Sequence, residues 1–294
     1  MNKRKFFVSF FVTLLVACLL LLILAFGYYS FVLKGQNVGE EVGEEVMEVL
    51  DVVEDEHSRQ NVLVIGVDKS GILADVMMIF SFSNSGEPIN LMSVQRDTVV
   101  RVNGSAQKIN SVLRYGDEDL ISAVKEVTGI PIHDYVRVNF KAVETIVDEL
   151  GGVEFDVPQN MNYDDPEQDL HIHLQAGPQL LNGEKALQLL RFRGYPMADI
   201  QRTKVQRDFI WEMFRQKVTL GNIDKIDEVY DAVQEHLRSN ITYDDLLEYA
   251  NMANGCELQT FAMPYEISNA IAGAVTVKEG EMQALAEAHF MEEK

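Results

Sequence analysis

The sequence predicts an α/β domain, a mixed β-sheet with helices on its faces, preceded by one N-terminal transmembrane helix. Three observations lead to this prediction. Apolar runs of strand length alternate with amphipathic segments of helix length. The loops between the first three runs have lengths that favour an antiparallel meander, and one long apolar run stands near the N-terminus. With 294 residues, 47% of them hydrophobic, the chain can bury at least one sizeable core.

The N-terminal region predicts a cytoplasmic tail at residues 1–5 and a membrane helix at residues 6–33. The apolar run exceeds the roughly 20 residues that span a bilayer core. It is also longer than the 7–15 residues usual in a signal peptide, so we favour an uncleaved signal-anchor over a cleaved signal. Lys3, Arg4 and Lys5 precede the run, and the positive-inside rule then places the following domain outside the cell. We expect a single-pass protein of the cell membrane.

The acidic composition of residues 34–60 predicts a stalk. Its valines recur every three or four residues and form a narrow apolar stripe, which would suit either a short coiled coil or a solvated spacer. We favour the spacer, because its glutamates crowd one another and valine is a poor helix former.

Composition excludes one class of partner. The chain carries 46 acidic against 25 basic residues, a formal net charge of −21, whereas nucleic-acid binding normally requires a basic face. Cys256 is the single cysteine after the predicted membrane helix, which excludes a disulfide within the domain. Its apolar setting predicts a small core residue.

Residues 61–294 predict one domain with a regular order of elements. Glycines at 129 and at 151–152 end two of its helices. The predicted strands lie at 61–67, 76–83, 89–94, 135–140, 153–157, 170–174 and 257–263, and the helices at 119–129, 141–150, 182–190, about 200–218, about 222–237 and 243–253.

Polar residues at the ends of the first three strands predict a site. Asp68 and Asp75 flank the first loop and Arg96 follows the third strand, so an antiparallel meander brings all three to one end of the sheet. Paired carboxylates suit Mg²⁺, although aspartate also begins many ordinary turns. Asp97 either holds Arg96 or serves as a base.

Further cations and one amide follow in the chain. Arg191 and Arg193 would share one face of an extended segment and suit a diphosphate, unless they simply pair with surface acids. Arg202 and Gln206 are one helical turn apart, and a bound anion would offset the unfavourable position of Arg202 in the first turn. Lys108 is the least specific member, a phosphate contact or a solvated loop lysine.

Two histidines are candidate metal ligands. His171 and His173 alternate on a predicted strand. Without a third ligand at a suitable spacing we interpret them as structural. The sequence contains no glycine-rich phosphate loop, no G-x-S-x-G and no C-x-x-C.

Several stretches in order resemble the LytR–CpsA–Psr family of bacterial cell-envelope proteins. The resemblance runs from about Asn61 to about Trp211, with a weaker continuation to about Pro264. The stretches are NVLVIGVD, ADVMMIFSF, SVQRDT, QKINSVLRYG, YVRVNF, VDELGGVEFDVP, LLNGEKALQLLRFR and DIQRTKVQ.

The resemblance implies a three-layer α/β/α sandwich with a central mixed sheet and a deep apolar pocket for a polyprenyl chain. The implied metal ligands are Asp68 and Asp75, for Mg²⁺ with Mn²⁺ as an alternative. The implied pyrophosphate contacts are Arg96, Arg191, Arg193, Arg202 and Gln206, to which the residue pattern adds Lys108. Arg96 and Asp97 are the expected catalytic residues.

This chain departs from the family pattern at several positions. Leu73 stands where an arginine is usual, Gln95 where a proline is usual, and Val205 where an arginine is usual. Losing one guanidinium contact to phosphate costs about 1.5–3 kcal/mol if nothing compensates. Lys69 is the nearest residue that would compensate for Leu73.

The implied function is transfer of a glycopolymer, such as a teichoic acid or a capsular polysaccharide, from a polyprenyl-diphosphate carrier to peptidoglycan in a Gram-positive bacterium. A polyprenyl-diphosphate hydrolase and a non-catalytic glycolipid-binding accessory protein of wall assembly remain as alternatives. A DNA-binding regulator is disfavoured, because the domain is expected outside the cell and no helix-turn-helix is recognisable.

Overall fold

The computed structural model describes residues 59–68, 70–167, 170–196, 198–217 and 223–291. The predicted tail and membrane helix, all but the last two residues of the predicted stalk, and Lys69 lie outside these ranges. Among the described residues, no helix is long and apolar enough to cross a membrane. The membrane anchor therefore stays a prediction.

Strands and helices alternate through the domain. The strands are β1 (Arg59–Val67), β2 (Ala74–Ser83), β3 (Ile89–Ser93), β4 (Val99–Val102), β5 (Ser105–Lys108), β6 (Asp134–Val138), β7 (Val153–Val157), β8 (Met161–Asp165), β9 (Leu170–Leu174), β10 (Gly177–Leu181), β11 (Leu237–Ser239), β12 (Leu258–Ala262), β13 (Tyr265–Ile267) and β14 (Val275–Val277). The helices are α1 (Asp117–Thr128), α2 (Phe140–Glu149), α3 (Gly183–Arg191), α4 (Ala198–Lys217), α5 (Ile223–Val233), α6 (Tyr243–Ala253) and α7 (Glu279–His289), and a 3₁₀ helix spans Ile109–Arg114.

The central sheet is mixed, as predicted. Its strand order is β11-β6-β1-β2-β3-β12. β1, β2 and β3 form the predicted antiparallel meander, whereas β6 runs parallel to β1 and β12 parallel to β3. Four two-stranded sheets, β4-β5, β7-β10, β8-β9 and β13-β14, complete the described strands.

Helices pack on both faces of this sheet, because its inner strands are apolar on both sides. Leu63 and Ile65 of β1 belong to a buried cluster that includes Leu120 of α1 and Met282 of α7. Val62, on the opposite face of β1, belongs to a second cluster with Tyr249 of α6. Cys256 packs against that second cluster, in agreement with its predicted core role.

Local signals account for most helix ends. Gly129 adopts a left-handed conformation (φ 68°) after α1, as its sequence position predicts. Asn139 and Asn182 accept hydrogen bonds from backbone amides and cap α2 and α3. Thr242 and Asp245 form a reciprocal capping box at α6.

The structure also corrects several boundaries. β2 begins at Ala74, so Asp75 lies inside the strand and not before it. Helix α4 begins at Ala198, two residues before the start predicted near residue 200. The helix predicted at 222–237 ends at Val233, and no sequence pattern predicted the hairpin β4–β5, strands β8, β10, β11, β13 and β14, or helix α7.

Candidate active site

A narrow cleft lies between one end of the central sheet and helix α4. It brings together four of the predicted site residues, Asp75, Arg96, Arg202 and Gln206. The buried residues Met77, Met78 and Val94 also line it. The cleft volume is about 10 Å³, which is room for roughly one water molecule.

Asp75 and Arg96 form the central ion pair of the cleft. The Arg96 Nη1 atom lies 2.7 Å from Asp75 Oδ1. Antiparallel pairing of β2 with β3 creates this contact, because it returns the chain to the end where β2 began. Both side chains are about three-quarters buried, with 23% and 25% exposed. The antiparallel meander therefore places these two residues at the same end of the sheet, as predicted from the sequence.

Asp97 connects this pair to a second cation. Its Oδ1 atom lies 2.8 Å from Lys108 Nζ, and its Oδ2 atom lies 3.8 Å from Arg96 Nε. Lys108 also donates to the carbonyl of Gly273 at 3.2 Å. Lys108 is therefore not a freely solvated loop lysine, because strand β5 places it beside Asp97.

Asp68 is engaged in its own loop. Its carboxylate accepts hydrogen bonds from the Ser70 hydroxyl and from the amides of Ile72 and Leu73. Burial raises the pKa of Asp68, but these hydrogen bonds outweigh it and the pKa is lowered overall. Arg137 ties the same loop to the fold, since it donates to the Gly71 carbonyl and pairs with Asp117 at 2.8 Å.

The donor set of Asp68 and Asp75 fits Mg²⁺ in its chemistry. Both are carboxylates beside the paired ends of β1 and β2, and Mg²⁺ takes oxygen ligands, with one or two carboxylates usual. Asp75 Oδ1 is occupied by Arg96. Its second oxygen and the partly bonded carboxylate of Asp68 retain lone pairs.

Arg191 and Arg193 do not form the predicted extended fork. Arg191 is the last residue of α3, and its guanidinium stacks over the Phe140 ring at 4.7 Å. The chain becomes extended only at Phe192, which is buried, whereas Arg193 is exposed. The helix continued one residue further than the fading pattern indicated.

Helices α3 and α4 are joined next to the cleft. Gln206 donates from Nε2 to the Leu190 carbonyl at 2.9 Å. Val205, which stands where the family pattern has an arginine, is buried among the apolar side chains of Phe155 and Phe209. The substitution therefore adds to the core beneath α4 and removes a cation from that position.

Sequence reasoning missed two residues of this region, Arg207 and Tyr195. Arg207 Nη1 lies 3.4 Å from the hydroxyl of Ser93, which lines the cleft. Burial lowers the pKa of Arg207, and the charge of Asp208 offsets this only in part. Burial also raises the pKa of Tyr195 to about 12, against the opposing charge of Arg202. Arg207 could have been found from the sequence, because it directly follows the predicted site residue Gln206.

Buried donors without acceptors concentrate here. Within the described part of the chain, Arg96 Nε, Arg207 Nε and the Tyr195 hydroxyl are buried and have no hydrogen-bond partner. Buried polar groups are normally bonded, and each exception calls for an explanation. Arg96 lines the cleft and Arg207 contacts Ser93 in its wall, so an anion bound there would offer acceptors to these two guanidinium groups.

A larger cavity of about 850 Å³ lies on another side of α4, between that helix and strands β7 and β10. Four carboxylates line it, those of Glu154, Asp156, Asp208 and Glu212, and Arg215 in its wall is already paired with Glu212 at 2.6 Å. Such a lining repels a diphosphate. It also does not match the apolar pocket that the family resemblance implies.

Comparison with known proteins agrees with the fold. The LytR_cpsA_psr family model matches residues 27–290. An uncharacterized Staphylococcus aureus protein is 31% identical over 200 residues, which are 66% of this chain and 49% of that protein. The Bacillus cereus polyisoprenyl-teichoic acid–peptidoglycan teichoic acid transferase TagU is 27% identical over 203 residues, 67% of this chain and 65% of that protein. The chain thus spans about half to two-thirds of the length of these relatives.

Solved structures show the same fold. Bacillus subtilis TagV superposes with a TM-score of 0.68 at 21% identity, covering 80% of this chain and 98% of that one. A structure of TagT bound to LI-WTA gives 0.62 at 20% identity, covering 79% and 89%. Because the family model spans most of the sequence, the chain belongs to the LytR–CpsA–Psr family.

Proposed function

We propose that the protein transfers a glycopolymer, a teichoic acid or another secondary wall polysaccharide, from a polyprenyl-diphosphate carrier to peptidoglycan. The observation that carries the proposal is the cleft itself. In a strongly acidic chain, three arginines and an amide meet at or beside a single cleft, and two of these arginines carry buried donors without acceptors. The transferases named among the relatives support the same class of reaction.

The arginines of the cleft suit the diphosphate of such a donor. Guanidinium groups bind phosphate oxygens in charge-assisted hydrogen bonds. The cleft of about 10 Å³ must widen when it takes up the diphosphate, because it has room for roughly one water molecule.

In the proposed reaction, a sugar hydroxyl of peptidoglycan attacks the glycan-linked phosphorus of the diphosphate. A new oxygen–phosphorus bond forms, the bridging phosphorus–oxygen bond breaks, and polyprenyl phosphate leaves. Arg96, Arg202 and Arg207 bind the oxygens on which negative charge develops. Arg191 and Arg193, at the end of α3, remain proposed contacts to the same diphosphate.

Asp97 is the candidate acceptor for the hydroxyl proton. It lies between Lys108 and Arg96, so accepting a proton would require it to loosen its bond to Lys108. Without that exchange its role is to orient Arg96. Mg²⁺, or Mn²⁺ in its place, would be held by Asp68 and Asp75 and would neutralise diphosphate charge when bound.

The test uses the purified full-length protein in detergent with a polyprenyl-diphosphate glycan, peptidoglycan oligomers and Mg²⁺. Mass spectrometry follows the release of polyprenyl phosphate and the attachment of glycan. Attachment that is lost in Arg96→Ala and retained in Arg238→Ala, an exposed arginine on edge strand β11, supports the proposal. Release without attachment would indicate a hydrolase, and tight lipid binding without turnover would indicate an accessory protein.

We propose that the protein is a single-pass membrane protein with this domain outside the cell. Both expected substrates are located there: the lipid carrier in the membrane and peptidoglycan beyond it. Protease protection in intact protoplasts tests this topology, because an exposed domain is digested and a cytoplasmic one is not.

A further inference from the structure

The β8–β9 hairpin presents a square of polar side chains to solvent. Its inner face is fixed to the core by Met161, Leu170, Ile172 and Leu174, all buried. Strand alternation places the intervening residues on the outer face. There the register pairs Asp164 with His171 and Asn162 with His173. The positions of these four side chains are therefore set by a buried framework beneath them.

Three of the four converge on one point. Asp164 Oδ1 lies 2.6 Å from His171 Nδ1 and 3.3 Å from His173 Nε2. One ligand atom from each residue lies within 4.8 Å of the others. Among the described residues, this is the one group of three or more His, Cys, Asp or Glu side chains that meets this spacing. Sequence reasoning missed the third ligand because it comes from the neighbouring strand.

We propose that Asp164, His171 and His173 bind a divalent transition-metal cation of the Zn²⁺ class. Two imidazoles and one carboxylate are donors that Zn²⁺, Ni²⁺ and Cu²⁺ accept readily, whereas Mg²⁺ prefers oxygen ligands alone. Three protein ligands leave at least one coordination position for water or another ligand. This site is separate from the proposed Mg²⁺ ligands Asp68 and Asp75.

The geometry needs little adjustment to coordinate a cation. Tetrahedral Zn²⁺ with bonds of about 2.0–2.1 Å places its ligand atoms about 3.3 Å apart. The Asp164–His171 pair at 2.6 Å would therefore open by about 0.7 Å. No pair would close by more than about 1.5 Å, and rotation of exposed side chains supplies both movements. Asn162 Oδ1 lies 3.4 Å from His173 Nδ1, so it can accept that proton and leave Nε2 free for the metal.

A cation at this site would join two strands that lie beside the helix carrying Arg191. The amide of His173 donates to Gln188 of α3 at 2.9 Å, and α3 ends at Arg191. Metal binding would stabilise the hairpin against local opening, since a ligand that binds only the folded form adds to its stability. This inference does not depend on the proposed transferase activity.

The test measures Zn²⁺ binding to tag-free, full-length protein by isothermal titration calorimetry after removal of metals with a chelator. We expect one equivalent of Zn²⁺, with excess Mg²⁺ unable to compete. Co²⁺ should give visible absorption bands that Zn²⁺ abolishes. Removing one ligand by Asp164→Asn should weaken binding about tenfold or more, and the double change His171→Asn with His173→Asn should remove the equivalent.

Asp156→Asn is the matched control, since Asp156 is an exposed carboxylate on the separate strand β7. The three ligand side chains are more than half exposed, so their substitution should leave the fold intact. Circular dichroism and melting of the metal-free variants check this point. The proposal is overturned if the wild type shows no saturable Zn²⁺ binding, or if the folded double variant binds as the wild type does.

Discussion

Replacing Arg207 with methionine should separate ligand binding from stability. The side chain is a partly buried guanidinium that donates a hydrogen bond to the hydroxyl of Ser93 at 3.4 Å. No carboxylate lies within ion-pair distance of it in the described part of the chain, and burial lowers its pKa. A cation in this position weakens the folded state unless an anion is bound to it. Methionine keeps most of the volume and removes the charge.

The expected magnitudes follow from these contacts. A hydrogen bond from a charged donor contributes about 1.5–3 kcal/mol, which corresponds to a factor of about 10–150 in affinity. We therefore expect Arg207→Met to weaken binding of a polyprenyl-diphosphate glycan by that factor. The free energy of unfolding should stay unchanged or rise by up to about 1 kcal/mol, because an unsatisfied guanidinium has been removed.

Arg96→Met is the informative comparison. Arg96 is paired with Asp75 at 2.7 Å, so its removal leaves a largely buried carboxylate without its cation. Binding should fall here too, but the free energy of unfolding should also fall, by about 1–3 kcal/mol. Lipid-binding measurements should therefore show a loss of affinity in both variants. Denaturant unfolding should show a lower free energy of unfolding in Arg96→Met only.

The result that would refute this reasoning is specific. If Arg207→Met lowers stability and binds the lipid as the wild type does, then Arg207 is a structural residue that holds Ser93. A binding loss in both variants with opposite effects on stability would support a role for Arg207 at the anion site.

Three further changes test other features. Gly183→Ala should lower the free energy of unfolding by about 1–3 kcal/mol or more, because the new Cβ would lie 2.3 Å from the Glu144 carbonyl oxygen; an unchanged denaturation midpoint would contradict the close approach of α2 and α3. Asp245→Asn should lower Tm at pH 7, because hydrogen bonds from Thr242 lower the pKa of Asp245. Because the pKa of Asp245 is lower in the folded state, its carboxylate stabilises the fold at pH values above the unfolded pKa. The difference in Tm from wild type should therefore shrink as pH falls below about 4 and vanish below the folded pKa. A difference that persists at still lower pH would exclude this cause. Leu73→Arg restores the arginine of the family pattern and should raise glycan transfer about tenfold or more; no gain would indicate that another cation already fills that role.

Local patterns predicted the central meander and every described α-helix except α7, because those elements depend on short-range signals. The apolar runs of β1 and β2 are buried on both faces, and Gly129 ends α1 with a left-handed residue. The convergence of Asp75 and Arg96 followed from strand direction alone, whereas their ion pair was not predicted. Each of these features needed only local sequence and one topological assumption.

Other features depended on pairings that no local pattern specifies. Asp164, the third ligand of the proposed Zn²⁺ site, lies opposite His171 only because β8 and β9 pair in one register. Lys108 meets Asp97 because β5 folds back on β4. The prediction of an extended segment from Arg191 to Arg193 was wrong, because α3 includes Arg191 and ends at Phe192. The position of that helix end depends on the tertiary contacts of the buried Phe192 ring.

The hydrogen bond from Gln206 to Leu190 has a consequence for the kind of ion the cleft selects. With Nε2 held by a carbonyl, the amide cannot turn over, and its second N–H remains available to a ligand. The amide thereby offers an oxyanion a hydrogen-bond donor without carrying any charge. Added salt screens the attraction of exposed guanidinium groups, but it leaves the orientation of an amide unchanged. The preference for an oxyanion set by Gln206 should therefore persist at ionic strengths that weaken the contribution of the arginines.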